Sequence, residues 1–167
     1  MDRKACFPPV VNADTRLLLL GSLPGEESLR AARYYAHPQN QFWRLTGAAI
    51  GRDLAALPYE ERLAALQTAG IGLWDVVADA ARSGSLDGAI RDHRANDLTA
   101  LVTTLPRLRA IGFNGKTAAR IGRRLLGGVD GLTLIDLPSS SPALTIGFDA
   151  KAKSWLMLEK WVQTFES

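Results

Sequence analysis

The side chains best suited to chemistry are concentrated in ten residues, Tyr34–Trp43, which we call the aromatic turn. It contains four aromatic side chains together with His37, Pro38 and Asn40, and no helical or strand periodicity accounts for the pattern. Because proline disfavours helix at the preceding residue, His37-Pro38 predicts a turn ahead of a helix that starts near Gln41. The pattern indicates that polar side chains are held on a rigid turn, next to aromatic rings on which a ligand could stack. The alternative is that the aromatic side chains are simply packed in the hydrophobic core and that Asn40 caps the helix.

A glycine-rich loop, Gly21–Gly25, follows the first apolar run and is called the Gly loop. Its two glycines let a ligand approach the backbone closely, and the helix that follows offers free N–H groups to an anion. The loop is too short for a P-loop, lacks the Lys-Ser/Thr ending, and lacks the three-glycine dinucleotide fingerprint. ATP and NAD chemistry are therefore disfavoured.

A serine-rich loop, Pro138–Ala143, follows the last apolar run and is called the Ser loop. Its three hydroxyls and its N–H groups lie between two prolines, which favours contacts with phosphate that position a ligand without specifying it. A serine nucleophile is the competing interpretation, but no Gly-x-Ser-x-Gly elbow is present. Phosphate-gripping loops beside a stacking aromatic suit an enzyme that rotates a base out of DNA.

Three apolar runs predict buried strands at Thr15–Leu20, Leu108–Phe113 and Leu132–Leu137. Helical segments alternate with them, which predicts an α/β fold, a three-layer α/β/α sandwich with a mainly parallel central sheet. Ligands bind at the carboxyl ends of such strands, so the Gly loop, the turn at 114–116 and the Ser loop are expected at one edge. The predicted helices are Glu26–Arg33, a segment from Gln41, Leu54–Ala69, a segment capped by Asn96 or Asp97, Thr117–Leu126 and a last helix capped by Asp149.

The other segments carry weaker signals. Residues 1–14 are expected to be an arm, 72–77 is ambiguous between strand and helix, and Ser83–Asp92 predicts a loop with at most a helical turn. The length predicts one domain spanning 1–167.

Composition limits the class of protein. No apolar run approaches the roughly 20 residues of a membrane span and no signal peptide is evident, so a cytoplasmic enzyme is expected. One cysteine and two histidines exclude an internal disulfide and a four-cysteine iron–sulfur cluster and disfavour a zinc site, so no metal or cofactor is expected. The net charge is +3, and residues 98–129 hold six basic residues and no acid. That stretch suits a polyanion or, equally, a solvated helix face.

From Leu17 to Ala143 the chain resembles the uracil-DNA glycosylase superfamily, in three motifs that follow the family's order. They are Gly-Ser-Leu-Pro-Gly at 21–25, Tyr-Ala-His-Pro-Gln-Asn-Gln-Phe-Trp at 35–43 and Leu-Pro-Ser-Ser-Ser-Pro at 137–142. The His-Pro-x-Asn-x-Phe-Trp string is shared with the mismatch-specific uracil/thymine branch. The Gly and Ser loops look more like those of the hypoxanthine-DNA (deoxyinosine) glycosylase branch. The resemblance implies a DNA repair enzyme, expected to be monomeric, that acts on double-stranded DNA containing a deaminated base, hypoxanthine first.

The resemblance also implies how the attacking water is held. Many superfamily members place Asp or Asn in the first loop for this purpose, but that position is Leu23 here, which can neither accept a hydrogen bond nor polarise water. In the hypoxanthine branch the Asn of the aromatic turn takes the role, which is Asn40 here, orienting water through its carbonyl oxygen. Because the transition state is oxocarbenium-like and a neutral amide supplies no charge, the DNA phosphates would stabilise it.

Five residues are predicted to form the base pocket. Tyr35 matches the aromatic ring that stacks on the flipped base in the mismatch-specific branch, with a core tyrosine as the alternative. His37 would hydrogen-bond the leaving base or a phosphate, or serve only structure, and Ser22 and the Leu23 backbone would line the pocket. Asn114 would read a base edge or simply form the turn before Gly115.

DNA contacts are expected around this pocket, from Pro24, Gly25, Lys116, Ser139, Ser140, Ser141, Pro142 and Ala143. Asp75 is a candidate buried acid that the sequence does not place. No lysine falls in the aromatic turn or the Ser loop, so Schiff-base lyase activity is not expected.

Three other functions stay open on the sequence. Removal of uracil or thymine from mismatches is the nearest. Leu23 in place of an acid favours a DNA-binding module without activity. A small-molecule hydrolase on the same scaffold is the third, because fold alone does not fix function.

Overall fold

The computed structural model of the chain describes residues 2–165. The strands are β1 (Arg3–Ala5), β2 (Leu17–Gly21), β3 (Ile71–Asp75), β4 (Val77–Ala81), β5 (Arg91–Ala95), β6 (Ala110–Asn114) and β7 (Thr133–Leu137). The α-helices are α1 (Glu26–Ala31), α2 (Phe42–Ile50), α3 (Tyr59–Ala69), α4 (Leu98–Thr103), α5 (Lys116–Leu126) and α6 (Phe148–Trp155). Turns of 3₁₀ helix lie at Leu54–Ala56, Asp87–Ala89 and Leu156–Trp161.

Four parallel strands in the order β3-β2-β6-β7 form the central sheet. Residues Leu17 to Leu20 of β2 are all 0% exposed, because this inner strand is covered on both faces. In register, Leu20 lies opposite Trp74 on one side and Phe113 on the other. The prediction that the strands ending near Leu20, Phe113 and Leu137 are neighbours is confirmed.

A second, antiparallel sheet has the order β1-β4-β5. The chain enters it directly from the central sheet, since only Val76 separates β3 from β4. Asp79 of β4 forms ion pairs with Arg3 of β1 and Arg94 of β5, which links the three strands. The predicted arm over residues 1–14 therefore includes a strand, β1, that the sequence did not indicate, and the ambiguous segment 72–77 is extended.

Helices cover both faces of the central sheet, which confirms the predicted three-layer architecture. Leu17 and Leu19 pack on one side with α2, α3 and α6, around Trp155. Leu18 and Leu20 point the other way and pack with α4 and α5. The split follows from the alternation of side chains along a strand.

Two helix boundaries differ from the sequence expectation for backbone reasons. Pro58 immediately precedes α3, so the predicted helix 54–69 divides into a 3₁₀ turn and a shorter helix. Helix α6 begins at Phe148 after Gly147, whose φ is +88°, so Asp149 lies in the first turn and does not cap the helix.

The two candidate caps of α4 have separate roles. The Asp97 carboxylate accepts a hydrogen bond from the Ala100 N–H at 3.0 Å and caps the helix. The Asn96 side-chain amide instead donates to the backbone carbonyl of Asp75 at 2.7 Å, which ties β5 to the end of β3. Among residues 2–165, none of the helices has the length and apolar character needed to cross a bilayer.

Candidate active site

A cleft of about 1510 Å³ opens where the four parallel strands end. The last residue of each strand lines it, namely Gly21, Asp75, Asn114 and Leu137. The Gly loop, the aromatic turn and the Ser loop meet there, so the prediction of a shared edge is confirmed. The residues singled out from the sequence all line this cleft: Ser22, Leu23, Pro24, Gly25, Tyr35, His37, Asn40, Asn114, Lys116, Ser139, Ser140, Ser141, Pro142 and Ala143.

A buried hydrogen-bond network joins three of the segments that form the cleft. Asn114, at the end of β6, accepts from the Ser140 N–H at 2.8 Å and donates to the Ser140 hydroxyl at 2.9 Å. The Ser140 hydroxyl donates in turn to Asn40 Oδ1 at 2.8 Å, and the Ser140 carbonyl accepts from the Gln41 N–H at 3.0 Å. One serine therefore fixes the Ser loop to a strand end and to the aromatic turn.

Ser140 corrects the expectation that all three serines contact DNA. Its exposure is only 1%, and its hydroxyl, N–H and carbonyl are all hydrogen-bonded within the protein. Ser139 and Ser141 are half-buried and remain accessible from the cleft. Asn114 keeps one amide hydrogen and one lone pair beyond its bonds to Ser140. Its side chain can therefore hold the Ser loop and still form further hydrogen bonds.

The Asn40 side chain presents its amide nitrogen, and not its oxygen, as the uncommitted group. Oδ1 accepts from the Phe42 N–H at 2.9 Å as well as from Ser140, so both lone pairs are engaged. This orientation is required, because the Phe42 N–H at the start of α2 needs an acceptor. The carbonyl is therefore not free to hold water as expected from the sequence. Nδ2 makes no hydrogen bond to residues 2–165 and is the group that can face a ligand.

Tyr35 is stacked inside the protein on one face. Its ring lies parallel to Phe42, with centroids 3.9 Å apart and planes 5° apart, and meets Trp43 edge-on at 6.5 Å. Its φ is +53°, an uncommon value for a residue other than glycine. The hydroxyl is buried and has no well-formed hydrogen bond within residues 2–165. Burial and the nearby Asp75 raise the pKa of Tyr35 while Asn114 opposes the rise, so the phenol remains a donor.

Asp75 is the candidate buried acid that the sequence indicated but did not place. It lies in register with Gly21, is 3% exposed, and its Oδ2 is buried with no hydrogen-bond partner in the described chain. Burial first, and then Asp87, raise the pKa of Asp75 to about 7, with Arg82 acting in the opposite direction. A Cβ at Gly21 would lie 2.7 Å from Asp75 Oδ1 and 3.0 Å from the Tyr35 hydroxyl, so glycine makes room for both groups.

The segment 83–90 between β4 and β5, which we call the β4–β5 loop, forms a wall of the cleft that sequence reasoning missed. Arg82, just before it, is 1% exposed and donates to the carbonyls of Gly84 and Pro24 at 2.6 Å each. The Ser22 hydroxyl donates to Asp87 Oδ1 at 2.6 Å. Burial raises the pKa of Asp87, opposed by Ser22 and Arg82. The short, irregular sequence of this loop, with two serines and two glycines, gave no local signal for these long-range bonds.

The rim of the cleft carries polar and basic groups. His37 is exposed, and its Nδ1 accepts from the Gln39 N–H at 3.0 Å, which leaves Nε2 to face solvent or a ligand. Lys116 is the one member of the predicted basic stretch that lines the cleft in the described structure. Arg107 forms an ion pair with Asp14 away from the cleft, and Arg123 forms one with Asp136 at the edge of the cleft. The basic stretch is therefore divided between the rim and ordinary surface pairing. Within residues 2–165, no three His, Cys, Asp or Glu side chains are grouped to hold a metal ion.

Hydrogen bonds from α6 hold the Ser loop in place. The Trp155 ring nitrogen donates to the Pro138 carbonyl at 2.9 Å, and Lys151 Nζ donates to the Ser141 carbonyl at 3.0 Å. Both anchors come from α6. The exposed part of the loop, Pro142 and Ala143, is therefore presented on a fixed base.

Known proteins resemble this chain over most of its length. A family profile described as the uracil DNA glycosylase superfamily matches residues 8–163. A hypoxanthine DNA glycosylase from Methanosarcina acetivorans is 46% identical over 140 residues, covering 84% of this chain and 87% of that protein. A second, from Methanosarcina barkeri, is 46% identical over 114 residues, covering 68% of this chain and 72% of that protein. The solution NMR structure of a candidate uracil DNA glycosylase from M. acetivorans superposes with a TM-score of 0.86 at 41% identity, covering 95% of this chain and 98% of that chain.

Proposed function

Because the chain belongs to the uracil DNA glycosylase superfamily, we propose that it removes hypoxanthine from double-stranded DNA by hydrolysing the bond between base and sugar. The family assignment confirms the resemblance carried by the three motifs. The choice of hypoxanthine is supported by the names of the two relatives at 46% identity. The proposal includes a monomer that acts in the cytoplasm without a metal or cofactor.

The observation that carries the proposal is the Asn40 amide in a cleft formed by four strand ends. The base would leave the stack and enter this cleft, since the glycosidic bond is inaccessible in duplex DNA. The C1′–N9 bond then breaks, and its electron pair leaves with the base. A water oxygen bonds to C1′, one water proton is lost, and the departed base takes up a proton from solvent.

Asn40 is proposed to position the attacking water. Its Nδ2 donates to the water oxygen, and its own oxygen is held by Ser140 and the Phe42 N–H. An amide cannot deprotonate water, and because it is neutral it supplies no negative charge. The positive charge on the sugar is therefore stabilised by the DNA phosphates. Leu23 is 6% exposed and offers no polar group for this task.

DNA would be gripped at the rim of the cleft. Lys116 offers a charge to phosphate, and the exposed end of the Ser loop presses towards the gap that the base leaves. Ser139 and Ser141 supply polar contacts. With no lysine in the aromatic turn or the Ser loop, the enzyme is proposed to be monofunctional.

A base-release assay tests the function directly. Duplexes with a single deoxyinosine, uracil or ethenocytosine would be incubated with excess protein, and the released base would be quantified over time. Hypoxanthine release fastest of the three is the expected result. Faster release of uracil would favour the rival substrate suggested by the His-Pro-x-Asn-x-Phe-Trp string. Salt-sensitive duplex binding without release of any base would favour the non-catalytic binding module.

A further inference from the structure

The floor of the cleft holds two buried polar groups that the proposed mechanism leaves unused. In the described chain neither Asp75 Oδ2 nor the Tyr35 hydroxyl has a hydrogen-bond partner. Buried polar groups in folded proteins are nearly always paired, because an unpaired one loses its hydration without compensation. Both residues line the cleft, so a ligand can supply what the protein does not.

The two groups converge on one point. A Cβ on Gly21 would lie 2.7 Å from Asp75 Oδ1, the other oxygen of the same carboxyl group, and 3.0 Å from the Tyr35 hydroxyl oxygen, so the carboxyl group and the hydroxyl both lie beside Gly21. The Tyr35 ring cannot turn away, because it is stacked against Phe42 at 3.9 Å. The pair therefore forms a fixed polar edge below the cleft.

The charges around Asp75 favour its protonated form. Asp87 faces it from the β4–β5 loop, and the two acids raise each other's energy when both are ionised. Arg82 acts in the opposite direction, but its effect on Asp75 is smaller than those of burial and Asp87. The other titratable neighbours are neutral groups, Tyr34, Tyr35 and Cys6. Burial and Asp87 together raise the pKa of Asp75 to about 7.

We propose that Asp75 acts on the flipped base as a neutral carboxylic acid, donating a hydrogen bond to the carbonyl oxygen where negative charge develops as the glycosidic bond breaks. Its second oxygen accepts from the adjacent ring N–H, and the Tyr35 hydroxyl donates to the same edge. Hypoxanthine carries this carbonyl and N–H side by side. The inference rests on the proposed function and names the groups in the pocket that hydrogen-bond the base.

An ionised Asp75 would do the opposite. A carboxylate would face the lone pairs of the carbonyl and then the charge of the departing base, and such repulsion is strong in a site from which water is excluded. A neutral acid in an apolar site is an effective donor to a developing oxyanion, and the proton remains on the acid throughout. Asp75 thus contacts the reacting group, whereas Asn40 is proposed to act on the water.

Replacement by asparagine separates the neutral acid from an ionised one. Single-turnover release of hypoxanthine from a deoxyinosine duplex would be measured between about pH 6 and pH 9 for the parent, Asp75→Asn and Asp75→Ala. The quantity to compare is the single-turnover rate constant divided by the protein concentration that gives half of the maximal rate. For the parent protein, this ratio should fall about tenfold per pH unit above about pH 7. Asp75→Asn keeps a neutral donor and acceptor, so it should keep at least about a tenth of the parent rate at low pH and show no such fall. Asp75→Ala should lose on the order of 10²-fold at low pH.

Three kinetic outcomes would overturn the inference: a parent rate that rises through neutral pH, an Asp75→Asn variant with the parental pH profile, or one as slow as Asp75→Ala. Asp53→Asn removes an exposed acid outside the cleft and should keep the parental profile. Carbon-13 NMR titration of the Asp75 carboxyl in the free protein gives a readout independent of activity and is expected to show a midpoint near neutrality. A midpoint near pH 4 would also reject the inference. Parent protein that releases no hypoxanthine at any pH refutes the proposed function instead, so the two failures are distinguishable.

Discussion

Ser140 and Asn40 are 100 positions apart in the chain, yet the Ser140 hydroxyl donates to Asn40 Oδ1 at 2.8 Å. The bond places a residue of the Ser loop in control of the orientation of the proposed water-binding amide. Without that donor, the Asn40 side chain would be held by the Phe42 N–H alone.

Ser140→Ala is expected to lower both stability and base release. The change leaves polar groups of Asn114 and Asn40 without their partner, and a buried unpaired group costs about 1–3 kcal/mol. Urea unfolding measures the first effect and single-turnover base release the second. Ser139→Ala is the matched control for stability, because within residues 2–165 its hydroxyl accepts only from the nearby Ser141 N–H. Equal stability of the two variants would show that the network is not structural.

Asn40→Ala is expected to slow base release by on the order of 10²-fold or more, as loss of one positioned donor does in other enzymes. Affinity for the duplex should change little, since Lys116 and the Ser loop remain. Asn40→Asp is the control for the helix cap, because its carboxylate can still accept from Phe42 and Ser140. It should match the parent in melting temperature and release base faster than Asn40→Ala, since a carboxylate can also act as a base. Parental rates in Asn40→Ala would place the water elsewhere.

Gly21→Ala is expected to disrupt the floor of the cleft. The new Cβ would lie 2.7 Å from Asp75 Oδ1 and 3.0 Å from the Tyr35 hydroxyl, and relieving such overlap typically costs about 1–3 kcal/mol. Melting temperature and base release should both fall. Gly128→Ala provides the comparison, because a Cβ there meets nothing within 4 Å. Similar behaviour of the two alanine variants would contradict the close approach at Gly21.

Asp75 should make stability depend on pH in a predictable direction. Its pKa rises from 3.8 to about 7 on folding, so its contribution is fully present below about pH 4 and is lost as pH rises to about 7. The full loss corresponds to on the order of 4 kcal/mol. Asp75→Asn does not ionise, so its stability relative to the parent should increase between about pH 4 and pH 7 and then level off. Urea unfolding at several pH values measures this difference, and a constant difference would mean that Asp75 is not protonated preferentially in the folded state.

The sequence was informative where a pattern is local. The runs that became β2, β6 and β7 are apolar and end in glycine, asparagine or proline, so their existence and the shared edge of their loops could be predicted. Strand β1 escaped prediction because three residues with mostly exposed side chains carry no periodicity and gain their order by pairing with β4.

The candidate site shows the same limit at the level of single residues. A serine in a polar loop predicts exposure, and only the distant partners Asn114 and Asn40 explain why Ser140 is buried. Asp75 could be suspected but not placed, because its surroundings come from Tyr35 and from Arg82 and Asp87 beyond the next strand. Long-range contacts of this kind leave no trace in residue spacing.

The single residue between β3 and β4 restricts how Asp75 can respond to losing its proton. The Val76 N–H donates to the Gly21 carbonyl at 2.8 Å, and the Val76 carbonyl accepts from the Asn96 N–H at 2.9 Å. Surface carboxylates relax after ionisation by swinging into water, but the backbone next to Asp75 is fastened to one sheet on one side and to the other sheet on the other. A backbone shift that carried the carboxylate into water would therefore have to break one of these bonds. The connection between the two sheets thus holds Asp75 in the buried position from which its raised proton affinity follows.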